Sequence, residues 1–235
     1  MSDTILNVDT IHTFIGQFHI LEGVSVAVPA NTITVLLGRN GAGKTTTLRS
    51  IMGLNPPSQG TIHYQGQPIA GRRPYDIAQL GIGYVPDYRA IFKQLSVEEN
   101  LKIAERQPDD LDRKREFIFE IFPDLHRLYH WPGGQLSGGQ QQMLAVARAL
   151  VPDNQLLLID EPSEGLAPVI IEQMMQAIQQ LSDQTTVLLV EQNFHVARHL
   201  ASQYVIIEDG KSVHTGLMAD LVQDEALINR YLGAA

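Results

Sequence analysis

The sequence predicts an α/β fold: a parallel β-sheet covered by helices on both faces, with an N-terminal antiparallel β subdomain and an inserted α-helical subdomain. Strand and helix patterns alternate after residue 155, which is typical of a parallel sheet buried on both faces. A glycine-rich loop joins an apolar strand to a helix near residue 40. From residue 87 to about residue 152 the apolar positions follow helical periodicity, which indicates the insert.

The first third of the chain is predicted to consist mainly of strands. Three predicted strands, rich in β-branched residues, span residues 5–14, 20–28 and 33–37. A helix is predicted at residues 44–52, because no breaker lies inside it and Gly53 follows it. Residues 61–64 and the turn at Gln65 and Gly66 indicate a short hairpin.

A strand at residues 82–85 leads into the helical insert. Ser96 and Glu99 match a capping box, which predicts the start of a helix. Two further helices are predicted, one at residues 111–122 and one that begins at Ser137 and has its apolar residues at helical spacing.

Alternation of strands and helices returns after the insert. The predicted elements are a strand at residues 156–160, a helix at 169–181, a strand at 186–190, a helix at 194–201 and a strand at 204–207. We interpret the 235 residues, 44% of them hydrophobic, as a single domain with a sizeable core. The expected core lobe comprises about residues 1–86 and 153–235, and the expected helical lobe about residues 87–152.

Charge and composition exclude several classes of function. The net charge of −9 argues against wide contact with nucleic acid and against adhesion to an anionic membrane. No apolar run approaches the ~20 residues needed to cross a bilayer. The chain has no cysteine and its first residues lack the pattern of a secretory signal. We therefore expect a cytoplasmic protein that binds no nucleic acid.

Residues 38–45 have the pattern Gly-x4-Gly-Lys-Thr and lie between a predicted strand and a predicted helix. In that context the glycines let backbone N–H groups face phosphate oxygens at a helix N-terminus. Lys44 should reach the terminal phosphates, and the Thr45 hydroxyl should bind Mg²⁺. A glycine turn without a ligand is the alternative, which the order of strand, loop and helix disfavours. The predicted nucleotide-binding residues here are Gly38, Arg39, Asn40, Gly41, Ala42, Gly43, Lys44, Thr45 and Thr46.

Two acidic residues follow an apolar strand further along the chain. Residues 156–159 predict a buried strand, which would deliver Asp160 to the carboxyl edge of the sheet, beside the phosphate loop. Asp160 can hold magnesium through water, and Glu161 suits a general base that polarises the attacking water. The alternative is a solvated turn, which the phosphate loop makes less attractive.

A third motif, Leu136-Ser137-Gly138-Gly139-Gln140, opens the last helix of the insert. With the phosphate loop and the Asp160 strand, it resembles the signature of ATP-binding cassette (ABC) ATPases, and the resemblance covers essentially the whole chain. It implies a P-loop NTPase core, with ATP and Mg²⁺ as cofactors. In that family the signature closes on the γ-phosphate held by a second cassette. The residues thereby assigned to a partner's ATP are Ser137, Gly138, Gly139 and Gln140.

Longer stretches of the chain resemble the ATP-binding subunits of branched-chain amino acid and urea importers. These stretches are residues 96–101, 141–145, 161–168 and 190–193. The resemblance implies an ATP-hydrolysing subunit of an importer for branched-chain or other neutral amino acids. It also implies three partners: a second ABC ATPase subunit, membrane permease subunits and, indirectly, an extracytoplasmic binding protein. We expect the second ATPase to be a different chain, with a homodimer as the alternative, and the complex to sit at the inner face of the cell membrane.

The chain departs from the family pattern at three positions. Asp87 stands where a glutamine senses magnesium, so we expect Thr45, Asp87 and Asp160 to be the metal ligands, partly through water. Gln192 aligns with the family's switch histidine and is assigned, with Glu161, to catalysis. The adenine-stacking aromatic is replaced by Ile15, with Phe14 beside it. The two ATP sites of a dimer are therefore expected to be unequal.

Other interpretations stay open. The chain could serve a urea or amide importer, or a nucleotide-gated system that transports nothing. A cassette for DNA repair or translation is a further rival, but tandem cassettes, coiled-coil inserts and zinc-binding cysteines are missing from this sequence. His195 and His199 are interpreted as a surface pair rather than a metal site. Asp109, Asp110 and Asp112 are interpreted as a solvated helix entry rather than a cation site.

Overall fold

Ten strands in two β-sheets form the framework of the computed structural model, which describes residues 4–233. In chain order the strands are Thr4–Ile15 (β1), Phe18–Pro29 (β2), Ile33–Leu37 (β3), Gln59–Tyr64 (β4), Gln67–Pro68 (β5), Ile82–Val85 (β6), Leu156–Asp160 (β7), Thr186–Val190 (β8), Gln203–Glu208 (β9) and Lys211–Leu217 (β10).

Ten α-helices and a short 3-10 helix, Gly133–Gln135, connect these strands within the same residues. In chain order the α-helices are Lys44–Ile51 (α1), Pro74–Gln79 (α2), Val97–Lys102 (α3), Asp110–Ile121 (α4), Pro123–Arg127 (α5), Gly138–Leu150 (α6), Pro168–Ser182 (α7), Phe194–Leu200 (α8), Met218–Leu221 (α9) and Glu225–Tyr231 (α10). Among residues 4–233, no helix combines the length and the apolar character that a membrane crossing requires.

The two sheets differ in strand direction. The core sheet has the order β10-β9-β3-β8-β7-β6, and its pairs are parallel except for β10, which runs antiparallel to β9. The smaller sheet has the order β2-β1-β4-β5 and is antiparallel. The predicted fold class is therefore confirmed, whereas the exact lobe boundaries stay a prediction.

The central strands β3, β7 and β8 of the core sheet are buried on both faces, as their largely apolar sequences indicate. All five residues of β7 are buried. Leu157 and Ile159 pack into the cluster formed with the helices, and Leu156 and Leu158 pack into the cluster formed with α1 and the antiparallel sheet. Because side chains alternate along a strand, one apolar strand supplies both clusters.

The segment between β6 and β7 is helical, and polar contacts fix its first helix. Ser96 and Glu99 form the predicted capping box at the start of α3. The side chain of Asn100 is fully buried and accepts a hydrogen bond from Phe92 N while it donates to the carbonyl oxygens of Phe92 and Leu95. These bonds hold the loop that precedes α3 against the helix.

The predicted hairpin at Gln65 and Gly66 is present, with His63 opposite Pro68. Several other elements differ from the sequence-based expectation. Helices α2 and α5 were not predicted, because each is short and begins at a proline that also suits a turn. Strand β10 and the two helices after it were also not predicted. β10 lies at the edge of the sheet and its residues are mostly exposed, so its sequence lacks an apolar period.

The acidic residues at the start of α4 are not all solvated, so the interpretation as a solvated helix entry is wrong for one of them. Asp110 is only 3% exposed, and its Oδ2 accepts hydrogen bonds from the backbone N–H groups of Arg106 and Gln107. Its role is structural, because it closes the turn that leads into the helix.

Candidate active site

Three loops meet at the carboxyl edge of the core sheet. In the strand register Leu36 of β3 and Asp160 of β7 both lie opposite Val190 of β8. The loops that follow these strands therefore begin side by side. They carry the phosphate loop, the pair Asp160 and Glu161, and the pair Glu191 and Gln192.

The phosphate loop has a backbone that only glycine fits at two positions. Gly38 has φ +147°, and a Cβ atom there would collide with the carbonyl oxygen of Ile207. Gly43 has φ +109°, and a Cβ atom there would lie 2.7 Å from Cδ2 of Leu21. Helix α1 starts directly afterwards, and no side chain of the described residues caps its first turn. The free N–H groups of that turn form an anion site of the kind that binds phosphate.

Lys44 lies over this loop with its side chain 4% exposed. Its Nζ donates to the carbonyl oxygens of Gly38, at 2.9 Å, and Arg39, at 3.2 Å. The same Nζ lies 3.4 Å from Oε1 of Glu161. The ammonium group is therefore held between the phosphate loop and the predicted base, where it can attract a terminal phosphate.

The predicted magnesium ligands Thr45 and Asp160 lie in contact. Thr45 Oγ1 donates to Asp160 Oδ1 at 3.1 Å, and the buried Oδ2 of Asp160 accepts no hydrogen bond from the described residues. Burial raises the pKa of Asp160 to about 6, and the nearby charges of Asp87 and Glu161 add to the shift. An orphaned buried carboxylate oxygen beside a hydroxyl suits a hard cation.

Asp87 is placed less tightly than the other predicted metal ligands. Its side chain is exposed, and its Oδ1 accepts a hydrogen bond from Tyr88 N at 2.9 Å. Among the described residues, no three His, Cys, Asp or Glu side chains form a metal cluster. A magnesium ion here would need waters and nucleotide phosphates as further ligands, which is how magnesium binds in nucleotide sites.

Glu161 and Gln192 stand on adjoining loops. Glu161 has φ +45°, in the left-handed region, and its N–H donates to the carbonyl oxygen of Val190 at 2.9 Å. Its carboxylate is 15% exposed and points towards Lys44. Gln192 is exposed, two residues beyond the end of β8. The fold thus brings both predicted catalytic residues to the same edge of the sheet.

The signature residues form the start of α6. Ser137 and Gln140 make a capping box: Gln140 N donates to Ser137 Oγ at 3.3 Å, and Ser137 N donates to Gln140 Oε1 at 3.0 Å. A Cβ atom at Gly139 would lie 2.7 Å from Ile170 of α7. No hydrogen bond in residues 4–233 joins this segment to the phosphate loop. That the signature serves a neighbouring molecule's nucleotide stays a prediction.

Phe14 and Ile15 end strand β1 on opposite sides. The Thr13 hydroxyl makes a 2.9 Å hydrogen bond with Ser50 of α1, so side chains of the same parity as Thr13 face that helix. Ile15 has this parity. Phe14 instead stacks on His19, with ring centroids 4.2 Å apart. Both predicted adenine contacts, Phe14 and Ile15, are therefore exposed at the end of β1, and their role stays a prediction.

Two charged side chains at or near this edge were not among the predicted site residues. Glu191 is 1% exposed; burial raises its pKa to about 7, and hydrogen bonds from Ser163 and Asn193 oppose the shift. Its position at the end of a buried, mostly apolar strand, like that of Asp160, is a signal that could identify it. Arg89 donates from Nε to Oε1 of Gln142 at 3.2 Å, and only the folded chain reveals this contact.

The histidine pair on α8 is exposed, and its contacts are within that helix or with α7. His199 Nδ1 lies 2.6 Å from the carbonyl oxygen of His195, and His195 Nε2 lies 3.9 Å from a carboxylate oxygen of Glu172. These contacts agree with a surface pair.

Comparison with known proteins identifies relatives of the chain. The family model described as "ABC transporter" matches residues 21–164. The high-affinity branched-chain amino acid transport ATP-binding protein BraG of Pseudomonas aeruginosa is 39% identical over 97% of this chain and 100% of its own length. The lipopolysaccharide export system ATP-binding protein LptB of Escherichia coli K12 is 32% identical, over 91% of each chain. A crystal structure of an ATP-binding cassette in its ADP conformation shares the fold, with a TM-score of 0.86 and 23% identity over 99% of this chain and 100% of that chain.

Proposed function

The chain belongs to the ABC transporter family, and we propose that it is the ATP-hydrolysing subunit of an importer for branched-chain or other neutral amino acids. As a member of that family it is an ATPase that binds ATP. The observation that carries the amino acid assignment is its 39% identity to BraG over nearly the full length of both chains. Weaker similarity to a lipopolysaccharide export protein supports the family but not the cargo.

Hydrolysis is assigned to residues at the carboxyl edge of the core sheet. The first turn of α1 binds the phosphates, and Lys44 places its charge beside the terminal one. Glu161 accepts a proton from the attacking water and orients it, and Gln192 hydrogen-bonds a phosphate oxygen. Thr45, Asp160 and the exposed Asp87 would hold magnesium, which neutralises phosphate charge when it is bound.

The second half of each ATP site is assigned to another cassette. The N-terminus of α6, which begins after Ser137, presents backbone N–H groups and the positive end of the helix dipole. We expect these groups to bind the γ-phosphate of ATP held by the partner cassette. We expect the partner to be a different ATPase. Asp87 and Gln192 then make this chain's own site the unusual one of the pair.

The permease is expected to dock on the helical segment. A groove lined by Arg89, Arg106 and Arg148, together with Tyr84 and Ala104, opens between β6 and helices of that segment. We expect a cytoplasmic helix of a permease to dock at this groove, which would place the chain at the inner face of the membrane. An extracytoplasmic binding protein would deliver the cargo.

Uptake of leucine into liposomes tests the importer assignment. This chain, its partner cassette, the permease and the binding protein, reconstituted with ATP on the cassette side, should accumulate leucine. Uptake of urea without leucine would favour the urea alternative. ATP turnover without any uptake would favour the nucleotide-gated system that transports nothing.

Replacement of Gln192 by histidine should raise ATP turnover at this site, severalfold and up to about 10-fold. An imidazole can carry positive charge beside the γ-phosphate, which an amide cannot, and charge-assisted hydrogen bonds are about twice as strong as neutral ones. Single-turnover hydrolysis in the assembled pair is the measurement. Gln184→His, an exposed glutamine just before β8, is the matched control and should leave the rate unchanged. An unchanged rate in Gln192→His, beside full loss in Glu161→Gln, would show that Gln192 does not limit hydrolysis.

A further inference from the structure

A buried carboxylate joins the two loops that carry the assigned catalytic residues. Glu191 lies directly after β8 and is 1% exposed. Its Oε1 accepts a hydrogen bond from Ser163 N at 3.2 Å, and its Oε2 accepts from Ser163 Oγ at 3.0 Å. Oε2 also accepts from Asn193 N at 3.2 Å. Both oxygens are thus used, by donors from two different loops.

The residues that donate to Glu191 lie next to the assigned catalytic residues. Ser163 lies two residues after Glu161, the assigned base, and Asn193 lies directly after Gln192, the assigned phosphate contact. One carboxylate therefore spans both catalytic loops. A buried carboxylate is costly unless several donors hydrogen-bond to it. Here the donors come from both loops, so the hydrogen bonds form only when the two loops keep their relative position.

The loop of Gln192 has one more anchor. The Asn193 side chain accepts hydrogen bonds from His195 N, at 3.0 Å, and from Val196 N, and so fixes the start of α8. The exposed Gln192 is consequently held by its two neighbours: by Asn193 towards α8, and by Glu191 towards Ser163. Loss of the second anchor would free Gln192 to move relative to Glu161 while α8 stays in place.

We propose that Glu191 is a positioning residue for hydrolysis, whose carboxylate holds the Gln192 loop in register with the loop that follows Glu161. The inference rests on the roles proposed for Glu161 and Gln192. Glu191 touches neither nucleotide nor water in this role; it acts through Ser163 and Asn193. Small displacements of catalytic groups cost large factors in rate, up to about 100-fold for a 1 Å shift.

The test compares kcat and KM for ATP in the assembled cassette pair. Glu191→Gln keeps the size of the side chain but turns one acceptor oxygen into a donor that faces N–H groups. We expect kcat to fall by about 10-fold or more, with KM for ATP within about twofold, because the phosphate loop is untouched. Ser163→Ala, a milder change, should also lower kcat. The double variant should be no slower than Glu191→Gln alone, because both changes break the same link.

Controls separate positioning from general damage and from failure of the assigned mechanism. Glu164→Gln alters an exposed carboxylate on the same turn and should leave kcat unchanged. Thermal unfolding of each variant shows whether it is folded. If Glu191→Gln does not fold, the kcat of Ser163→Ala decides the test. An unchanged kcat in a folded Glu191→Gln, a change in KM alone, or additive effects in the double variant would overturn the inference. If Glu161→Gln keeps full turnover in the same assay, the assigned base is wrong and the inference falls with it.

Discussion

Replacement of Lys44 by methionine is expected to lower ATP turnover by about 10²- to 10³-fold, because the developing phosphate charge loses its nearest fixed cation. ATP affinity should fall by about 10-fold or more, since a hydrogen bond to a charged group contributes about 1.5–3 kcal/mol. Within residues 4–233 the polar contacts of the Lys44 ammonium are with the carbonyl oxygens of its own loop and with Glu161, so methionine removes the charge with little change of volume. Binding is measured by nucleotide titration and turnover by phosphate release.

Lys211→Met is the matched control for this prediction. Lys211 is an exposed lysine that pairs with Glu22 on the antiparallel edge of the core sheet. Its loss should change neither affinity nor turnover, and both variants should unfold in a single transition. Nucleotide affinity that survives in Lys44→Met would mean that the backbone of the loop holds the phosphates without the side chain.

Much of the fold could be predicted from the sequence, because apolar residues recur at a helical period in the helices but form short uninterrupted runs in the buried strands. Strands β7 and β8 are short, apolar and closed by polar residues, so their burial on both faces could be inferred from the pattern alone. The capping box of Ser96 and Glu99 fixed one helix start to the residue. Short proline-led helices such as α5 lack enough turns to establish a period, and their existence depends on packing.

The candidate site was predictable where residues follow strand ends and not where side chains meet across loops. Asp160 and Glu161 could be placed at the edge of the sheet, because parallel strands end together. The bridge from Glu191 to Ser163 joins residues far apart in the sequence, and no local pattern marks it. The side of the strand on which Phe14 lies was equally hidden, because Phe14 and Ile15 are adjacent and both exposed.

The proposed site assignment predicts that this chain hydrolyses ATP efficiently only together with a partner cassette. In that assignment its own loops would supply a cation, a carboxylate and an amide around the phosphates, through Lys44, Glu161 and Gln192. The second set of N–H donors, at the start of α6, has no hydrogen bond to that site within residues 4–233. We therefore expect the signature of another cassette to complete the electrostatic environment of the γ-phosphate.

Replacement of Glu161 by glutamine is expected to abolish most hydrolysis while ATP binding is retained. An amide has the same shape but cannot take the proton of the attacking water, and removal of a general base costs about 10²- to 10⁴-fold. Lys44 keeps its contacts with the carbonyl oxygens of Gly38 and Arg39, so the phosphate-binding loop should be preserved. In a size-exclusion experiment with ATP, the variant should stay associated with its partner cassette for longer than the original protein, because closure is not followed by hydrolysis at this chain's site.

Glu164→Gln serves as the control, since Glu164 lies three residues further along the same turn and is exposed. It should hydrolyse ATP at the original rate. Glu161→Gln also tests whether the two ATP sites of the cassette pair are unequal. When only this chain carries the substitution, the turnover of the partner's own site should stay measurable. Complete loss of turnover from both sites would mean that hydrolysis at one site requires hydrolysis at the other. Single-turnover hydrolysis at this chain's own site within about threefold of the original in Glu161→Gln would show that another group orients the water, since loss of a general base costs far more.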